Sequence, residues 1–493
     1  MVRSNWLRGG FWGAVLLVVT AVVTLVQTRL AVVYLDKEQS GIWFLMLGLS
    51  SLLVLLDFGV GQTLVRELGF AANQPQKRQD LLRTAEIISL RIGVVVGCVA
   101  TPLGIWFLSR LASSSALVVV LPAWFVFSLG AVLSLQSNIL TSGLIGLGFM
   151  SWDRQARSVW LVVSVLSAYI FLQWQPNLQS LCWGWALGQV GLWLSLRVLL
   201  HRVHVFGAYS RPFARHFFAL GLRWWWIAVG GYLILNTDNF VIAAVLGTQQ
   251  VADYALLARL SSLILPFSLI FVVSVVPIVA QCAADGQWEK IRNLLLLHIR
   301  IGFLILIPIV VFISSVPEIL INIWVGEGHF LGRPILYIFL VMLTLEVHHV
   351  IFATVLMATG ELPFAPWAIG AGLLNLLLSV VLANWLGLLG VALGTMLAQM
   401  LTNNWFAPTI TLRALGVHFR DYWKFFLLPA LIGFTICVGT GQVLQQLLQG
   451  TENFWRLTVS VLAVVASLGF LFFLFFSRHE RNKLFSAIIQ MNA

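Results

Sequence analysis

The sequence predicts an all-α, polytopic membrane protein of about fourteen transmembrane helices, twelve of them in two repeated six-helix bundles and two added at the C-terminus. Three observations lead there. The 493 residues are 60% hydrophobic and 10% charged, with mean hydropathy +0.95, whereas soluble domains carry about 25% charged residues. A stretch from the first half recurs in the second. Lys and Arg fall almost entirely on one side of the expected membrane.

The repeat centres on Asn236 to Ser262. A helix carrying Asp238 ends at Leu246-Gly247, a polar turn Thr248-Gln249-Gln250 follows, and Tyr254 begins another apolar helix. The first half repeats this as Leu35 through Ser40-Gly41-Ile42-Trp43 to Leu49-Ser50-Ser51-Leu52, at a constant shift of 211. Arg91-Ile92-Gly93 recurs as Arg300-Ile301-Gly302 at 209, and Gly184 to Gly188 as Gly390 to Gly394 at 206. Three matches in order at nearly one offset point to two related halves, an arrangement typical of transporters with the pathway between them.

A spanning helix needs about 20 apolar residues. Runs of that kind lie near 11–35, 41–64, 84–109, 117–147, 156–173, 180–200, 221–246, 254–281, 294–316, 334–359, 366–385, 388–411, 425–447 and 456–477. Arg3 and Arg8 before the first run imitate a signal peptide, but the run is long and lacks a small-residue cleavage site, so it reads as an uncleaved span. The expected division is 1–205 for the first bundle, 206–220 for a basic cytoplasmic linker, 221–415 for the second bundle, and 416–493 for two more helices and a tail.

With a cytoplasmic N-terminus, the inner segments hold 22 Lys and Arg and the outer loops four, namely Lys37, Arg110, Arg333 and Arg456. This bias places both termini inside and accounts for the net charge of +11 through the anionic inner leaflet rather than nucleic acid. The stretch His201 to Arg223 alternates basic and apolar residues, as an interfacial helix does. Arg223-Trp224-Trp225-Trp226 reads as a headgroup-level anchor. The four cysteines show no CxxC spacing, so neither disulfides nor a metal site is expected. No Walker A loop, DxD pair or GxGxxG occurs, and no outer loop is long enough for a catalytic domain; no enzyme activity is expected.

Ionisable side chains at the centre of a span cost about 2.5–3.5 kcal/mol, so each has a reason to be there. Arg29, Asp238 and Arg259 fall in the outer halves of spans one, seven and eight. Together they read as a cationic substrate site for phosphate or diphosphate, balanced by Asp238, because the Arg fork takes phosphate oxygens in pairs. The structural alternative is an Arg–Asp pair, or snorkelling to the outer headgroups. Arg91 and Arg300, equivalent in the repeat, lie about two turns from the inner face and are candidates for attracting an anionic headgroup. Snorkelling is their plainer account. Asp57, in Asp57-Phe58-Gly59-Val60-Gly61, and Glu346, near mid-membrane, are candidates for ion coupling. His348 and His349 are adjacent and so face different sides of a helix, which argues against a shared metal. The GxxxG spacings Gly184/Gly188 and Gly390/Gly394 read as tight helix packing.

The repeat, the Asp57 to Gly61 segment, and Asp238, Leu246-Gly247, Tyr254-Ala255 and Arg259-Leu260 resemble the polysaccharide transporters of the multidrug/oligosaccharidyl-lipid/polysaccharide (MOP) exporter superfamily, with the O-antigen (Wzx-type) flippases the nearest type. The resemblance spans about residues 5 to 415 and is carried by diffuse motifs. It implies two bundles forming a V-shaped central cavity, and translocation of undecaprenyl-diphosphate-linked glycans across the bacterial inner membrane by alternating access. It also implies a groove for the lipid tail in the last two helices, and cavity arginines at places comparable to Arg29 and Arg259. The implied partners are the lipid-linked glycan, membrane lipids and the polysaccharide polymerase machinery; nucleic acid is not expected. No cofactor is expected beyond a proton or sodium gradient. The other reading on the same fold is an ion-coupled exporter of small molecules of the multidrug type, which a net acidic cavity would favour.

Overall fold

The computed structural model describes residues 2–71, 73–203, 207–360 and 364–482. Residues 204–206, which run into the start of the expected linker, and the tail from 483 lie outside the described residues. The described chain is helical throughout: α1 (Val2–Tyr34), α2 (Lys37–Leu55), α3 (Val60–Phe70), α4 (Pro75–Leu111), α5 (Ser114–Gly146), α6 (Met150–Trp174), α7 (Leu178–Val203), α8 (Arg211–Leu235), α9 (Asp238–Val245), α10 (Gln249–Ala284), α11 (Trp288–Ser315), α12 (Pro317–Val325), α13 (Arg333–Ala358), α14 (Ala365–Leu386), α15 (Leu388–Leu401), α16 (Asn403–Ala414), α17 (Phe419–Tyr422), α18 (Leu428–Leu447) and α19 (Asn453–Phe475). A π-helical turn, Trp423–Leu427, joins α17 to α18.

Among the described residues, ten helices are long and apolar enough to cross a membrane, and a bent pair within α8 makes an eleventh. The remaining expected spans also lie on helices. The expected span 41–64 is divided between α2 and α3, 221–246 between α8 and α9, and 388–411 between α15 and α16. Hydropathy alone runs through these breaks because their residues are still mostly apolar. The helices expose Val94, Leu103, Trp106, Leu377 and Phe473, as a surface solvated by lipid does. Trp174 and Trp385, both more than three-quarters exposed, lie at the C-terminal ends of α6 and α14 and are 211 residues apart, matching the repeat offset.

Contacts gather the chain into two compact units. The first comprises residues 1–259 and 364–398, the second 260–363 and 399–493. These units do not follow the sequence halves: α8 and α9 pack on helices of the first half, and α14 packs on α8 and α9. In the first unit α5 lies against α4 and α7, α6 against α7 and α1, and α8 against α14. Its core holds an aromatic column. The Phe127 and Trp185 rings stack with centroids 4.3 Å apart, and Trp124 and Trp43 close on Phe127 at 5.9 and 6.0 Å. A side chain at Gly184 or Gly188 would collide with Ala168 or Ser164 of α6, and one at Gly390 or Gly394 with Leu382 or Ser379 of α14. Both GxxxG spacings are therefore packing devices, as expected. Lys37 and Asp253, at the starts of α2 and α10, pair at 3.3 Å and tie together two of the turns that revealed the repeat.

In the second unit α11 packs on α13, α18 and α19, and α13 packs on α16. Phe303, His348, Tyr422 and Phe426 form its aromatic centre; the His348 imidazole is stacked on Phe426 at 5.9 Å.

Candidate functional site

Asp238 is the first residue of α9, just past the break that ends α8. Its carboxylate accepts a hydrogen bond from the Tyr254 hydroxyl at 2.7 Å and from Thr395 Oγ1 at 2.8 Å. Asn375 stands beside them on α14. Its amide donates to the Leu233 and Ile234 carbonyls at 3.0 and 3.1 Å, which the end of α8 leaves without helical partners. Ser379 Oγ donates to Asn375 Oδ1 at 3.1 Å and lies 3.5 Å from the Val391 carbonyl and from Thr395 Oγ1. Asn375, Ser379 and Thr395 are each at most 1% exposed. Four helices thus bring a carboxylate, an amide oxygen, three hydroxyls and a carbonyl together inside the first unit. This is a hard-oxygen donor set with one formal negative charge, suited to a small cation.

This arrangement changes the expected role of Asp238. Among the described residues it makes no ion pair with Arg29 or Arg259; hydroxyls hold it. Arg259 follows Tyr254 by five residues on α10, about 7.5 Å along the axis and about 140° around it, so it leaves the knot on another face, half-buried. Arg29 is exposed on α1, between the buried Thr28 and Leu30. Asn375, Ser379 and Thr395 were not among the residues singled out from sequence. Their one sequence signal is polarity at i, i+4 (Asn375, Ser379) inside an apolar run.

Asp57 lies in the turn between α2 and α3. Its oxygens accept from the Gly59 amide at 2.7 Å and the Gly61 amide at 3.3 Å, capping the start of α3. Phe58 and Gly59 are both left-handed, with φ of 51° and 73°. A side chain at Gly59 would strike Gly221 of α8. The Phe58 ring packs on Trp225 at 5.4 Å, and the Trp225 indole N–H donates to the Leu55 carbonyl at 2.7 Å, closing the end of α2. Trp225 is thus a plug for this break and not a headgroup anchor; Trp224 and Trp226 stay exposed. The helical segment 211–222 does extend from the expected linker, entering span seven through a 43° bend. Asp57→Ala is expected to lower stability by about 1 kcal/mol through loss of the cap, while Asp57→Asn keeps an acceptor oxygen and transports normally. Thermal unfolding and transport measured together check this. Transport lost in Asp57→Asn with stability intact would return Asp57 to ion coupling.

Glu346 and the two histidines sit in the middle of α13. As expected, the rings part. His348 Nε2 lies 2.7 Å from the Tyr422 hydroxyl, whereas His349 Nδ1 lies 3.0 Å from the Asn403 carbonyl.

The repeat-equivalent arginines diverge. Arg91 is exposed, its guanidinium 5.2 Å from the Tyr209 ring, and remains open to a headgroup. Arg300 is not: it donates to the Leu296 carbonyl, to the Phe475 carbonyl at 2.9 Å and to Glu480 at 2.9 Å, and faces the Phe476 ring. Its role is to latch the end of α19. Glu480 also accepts from the Ser477 amide and hydroxyl, both at 2.8 Å, the reciprocal pattern of a capping box. Partial burial alone would raise the Glu480 carboxyl, but the bonds from Arg300 and Ser477 outweigh it and hold the group below its ordinary 4.5. A depressed acid contributes stability above its unfolded value and loses it as pH falls through the folded one. The melting-temperature gap between wild type and Glu480→Gln is therefore expected to be constant from about pH 6 to 8 and to close below about pH 4.5.

Broken spans, polar residues within them and at least ten helices long and apolar enough to cross a membrane among the described residues define the class: an α-helical multi-pass membrane protein with the fold of a MOP-superfamily transporter. The inward closed conformation of the lipid II flippase MurJ superposes with TM-score 0.72 at 15% identity, covering 93% of this chain and 97% of that one. An inward-facing multidrug resistance MATE family transporter of the MOP superfamily gives 0.65 at 16%, covering 80% and 95%. A MOP superfamily transporter from Pyrococcus furiosus, described as having reversed binding-pocket polarity, gives 0.58 at 16%, covering 82% and 96%. The model of the family "Polysaccharide biosynthesis protein" matches residues 37–330, more than half of the chain. The protein belongs to that family. No curated protein matches the chain.

Proposed function

We propose that the protein is a flippase that moves an undecaprenyl-diphosphate-linked oligosaccharide, an O-antigen or exopolysaccharide unit, across the bacterial cytoplasmic membrane by alternating access. One observation carries this reading: a polysaccharide biosynthesis family model covers 37–330, on a chain whose likeness to a lipid flippase extends over 93% of its length. The inward-facing MATE transporter covers 80%, a difference of about the length of the C-terminal helix pair, which favours a lipid-linked cargo over the multidrug-type alternative.

In this reading Arg29 and Arg259 receive the diphosphate, Arg91 draws the headgroup in from the inner leaflet, and α18 and α19 accompany the lipid tail. The halves 1–205 and 221–415 move against each other, and both termini are cytoplasmic. The chain catalyses no reaction and hands the glycan to polymerase machinery outside. Coupling to a sodium or proton gradient runs through the oxygen knot at Asp238, whose geometry suits a cation better than does the capped Asp57.

The test is complementation in cells depleted of their own flippase for a defined surface polysaccharide, scoring surface glycan and the lipid-linked intermediate on each leaflet. Restored glycan supports the proposal. Absence of restoration with every glycan type tried, together with drug resistance conferred by the same membrane-inserted protein, would replace it with the multidrug reading.

A further inference from the structure

The second unit contains a polar centre that the reading above does not use. It lies where the expected span 388–411 breaks. α15 ends at Leu401 and α16 begins at Asn403, with Thr402 at φ −124° and ψ −90° between them. The break is about midway along the span, and broken helices at that depth are where membrane transporters place polar ligands. Gln399 and Asn404 flank it. They are 1% and 4% exposed, and both the oxygen and the nitrogen of each side-chain amide lack a hydrogen-bond partner. An unmet buried polar group costs about 1–3 kcal/mol, so four of them flanking one break need an explanation. Lipid tails supply none.

The facing helix supplies a charge. α13 packs on α16, and Glu346 is the one carboxylate in α13, α15 and α16. It stands about equally far from both ends of α13. One turn on, the His349 ring contacts the Asn403 carbonyl, the first residue of α16, so Glu346 and the flanking amides belong to one neighbourhood. Because that carbonyl can only accept, His349 Nδ1 is the donor, and its Nε2 is left as an acceptor in the neutral ring. The other titratable groups in the central turns nearby are His298 and Arg300 on α11 and His348 on α13. His298 contacts the Leu294 carbonyl, Arg300 is latched to Glu480, and His348 bonds Tyr422. Arg413 lies in the last turn of α16, about 13 Å along the axis from Asn404.

We propose that Glu346, Gln399 and Asn404 form a site for a hydrated monovalent cation in the second unit, separate from the oxygen knot at Asp238. The amide oxygens ligate the ion, the amide N–H groups hold its waters, and the carboxylate balances its charge. A single carboxylate fits one positive charge; a divalent ion would leave a net charge in the hydrocarbon layer, which is expensive. The site does not depend on which cargo the transporter carries.

The experiment measures the melting temperature of the full chain in nanodiscs against NaCl, KCl or choline chloride at constant ionic strength and pH 8, with a choline series to pH 6. In Asp238→Asn, which removes the other site, Na+ is expected to raise the melting temperature saturably, and Glu346→Gln added to it to abolish the rise. Gln399→Leu and Asn404→Leu are expected to weaken the Na+ response at least tenfold in concentration while leaving stability in choline unchanged or higher, since an unmet amide has been removed. A merely structural role would lower stability in choline instead. A rise with K+ in place of Na+, or on lowering pH in choline, supports the same site with potassium or hydronium as the ion, provided Glu346→Gln removes it. No ion- or pH-specific rise in Asp238→Asn, or one that survives Glu346→Gln, overturns the proposal, and neither result bears on complementation.

Discussion

Alanine at Arg29 or at Arg259 is expected to stop transport while the protein still accumulates, folded, in the membrane. A diphosphate entering hydrocarbon carries a large desolvation cost, and the reading above assigns the offset to these two guanidinium groups. Each charge-assisted bond contributes about 1.5–3 kcal/mol, which amounts to a drop of about 10- to 100-fold per bond, and the fork makes two. Lysine keeps the charge but not the fork, so Arg29→Lys and Arg259→Lys are expected to fall between alanine and wild type. Surface glycan normalised to membrane protein level is the readout. The exposed placement of Arg29 and the half-buried placement of Arg259 make neither a core residue, so loss of folding is not the expected result. Wild-type transport in both alanine variants would remove the phosphate assignment.

Asp238→Asn is expected to abolish coupled transport and the part of any sodium-dependent stabilisation that belongs to its site. Tyr254 and Thr395 both donate to the carboxylate, at 2.7 and 2.8 Å. An asparagine amide offers one acceptor oxygen, and its NH2 group then faces a hydroxyl that must turn away. Removing the charge also removes what a cation would bind. Tyr254→Phe separates the effects: it deletes one donor, costs about 1 kcal/mol of stability, and leaves the charge and the transport. If Asp238→Asn transports at the wild-type rate, the coupling assignment fails and the knot is only a brace for the end of α8.

Much of this was legible in the sequence. Each expected span lies on a helix because the length and apolarity of a crossing segment are set by the bilayer, and both are written locally. The glycines after Asp57 permit close packing as well as a break, so the expected span ran on through Phe58-Gly59, where the structure turns left-handed. The breaks at Asn236-Thr237 and Thr402 left no residue-level signal. What makes the first tolerable is Asn375, more than a hundred residues on, satisfying the Leu233 and Ile234 carbonyls. The partners of Arg300 were equally hidden, since Glu480 and the Phe475 carbonyl meet it only after α19 packs on α11. The sequence by itself determined that the chain carries many segments long and apolar enough to cross a membrane, and which charges had to be explained. Only the tertiary structure decided which of those charges are capped, latched or held by hydroxyls. Hydropathy is a property of one segment, whereas the satisfaction of a buried polar group depends on a partner brought from elsewhere in the chain.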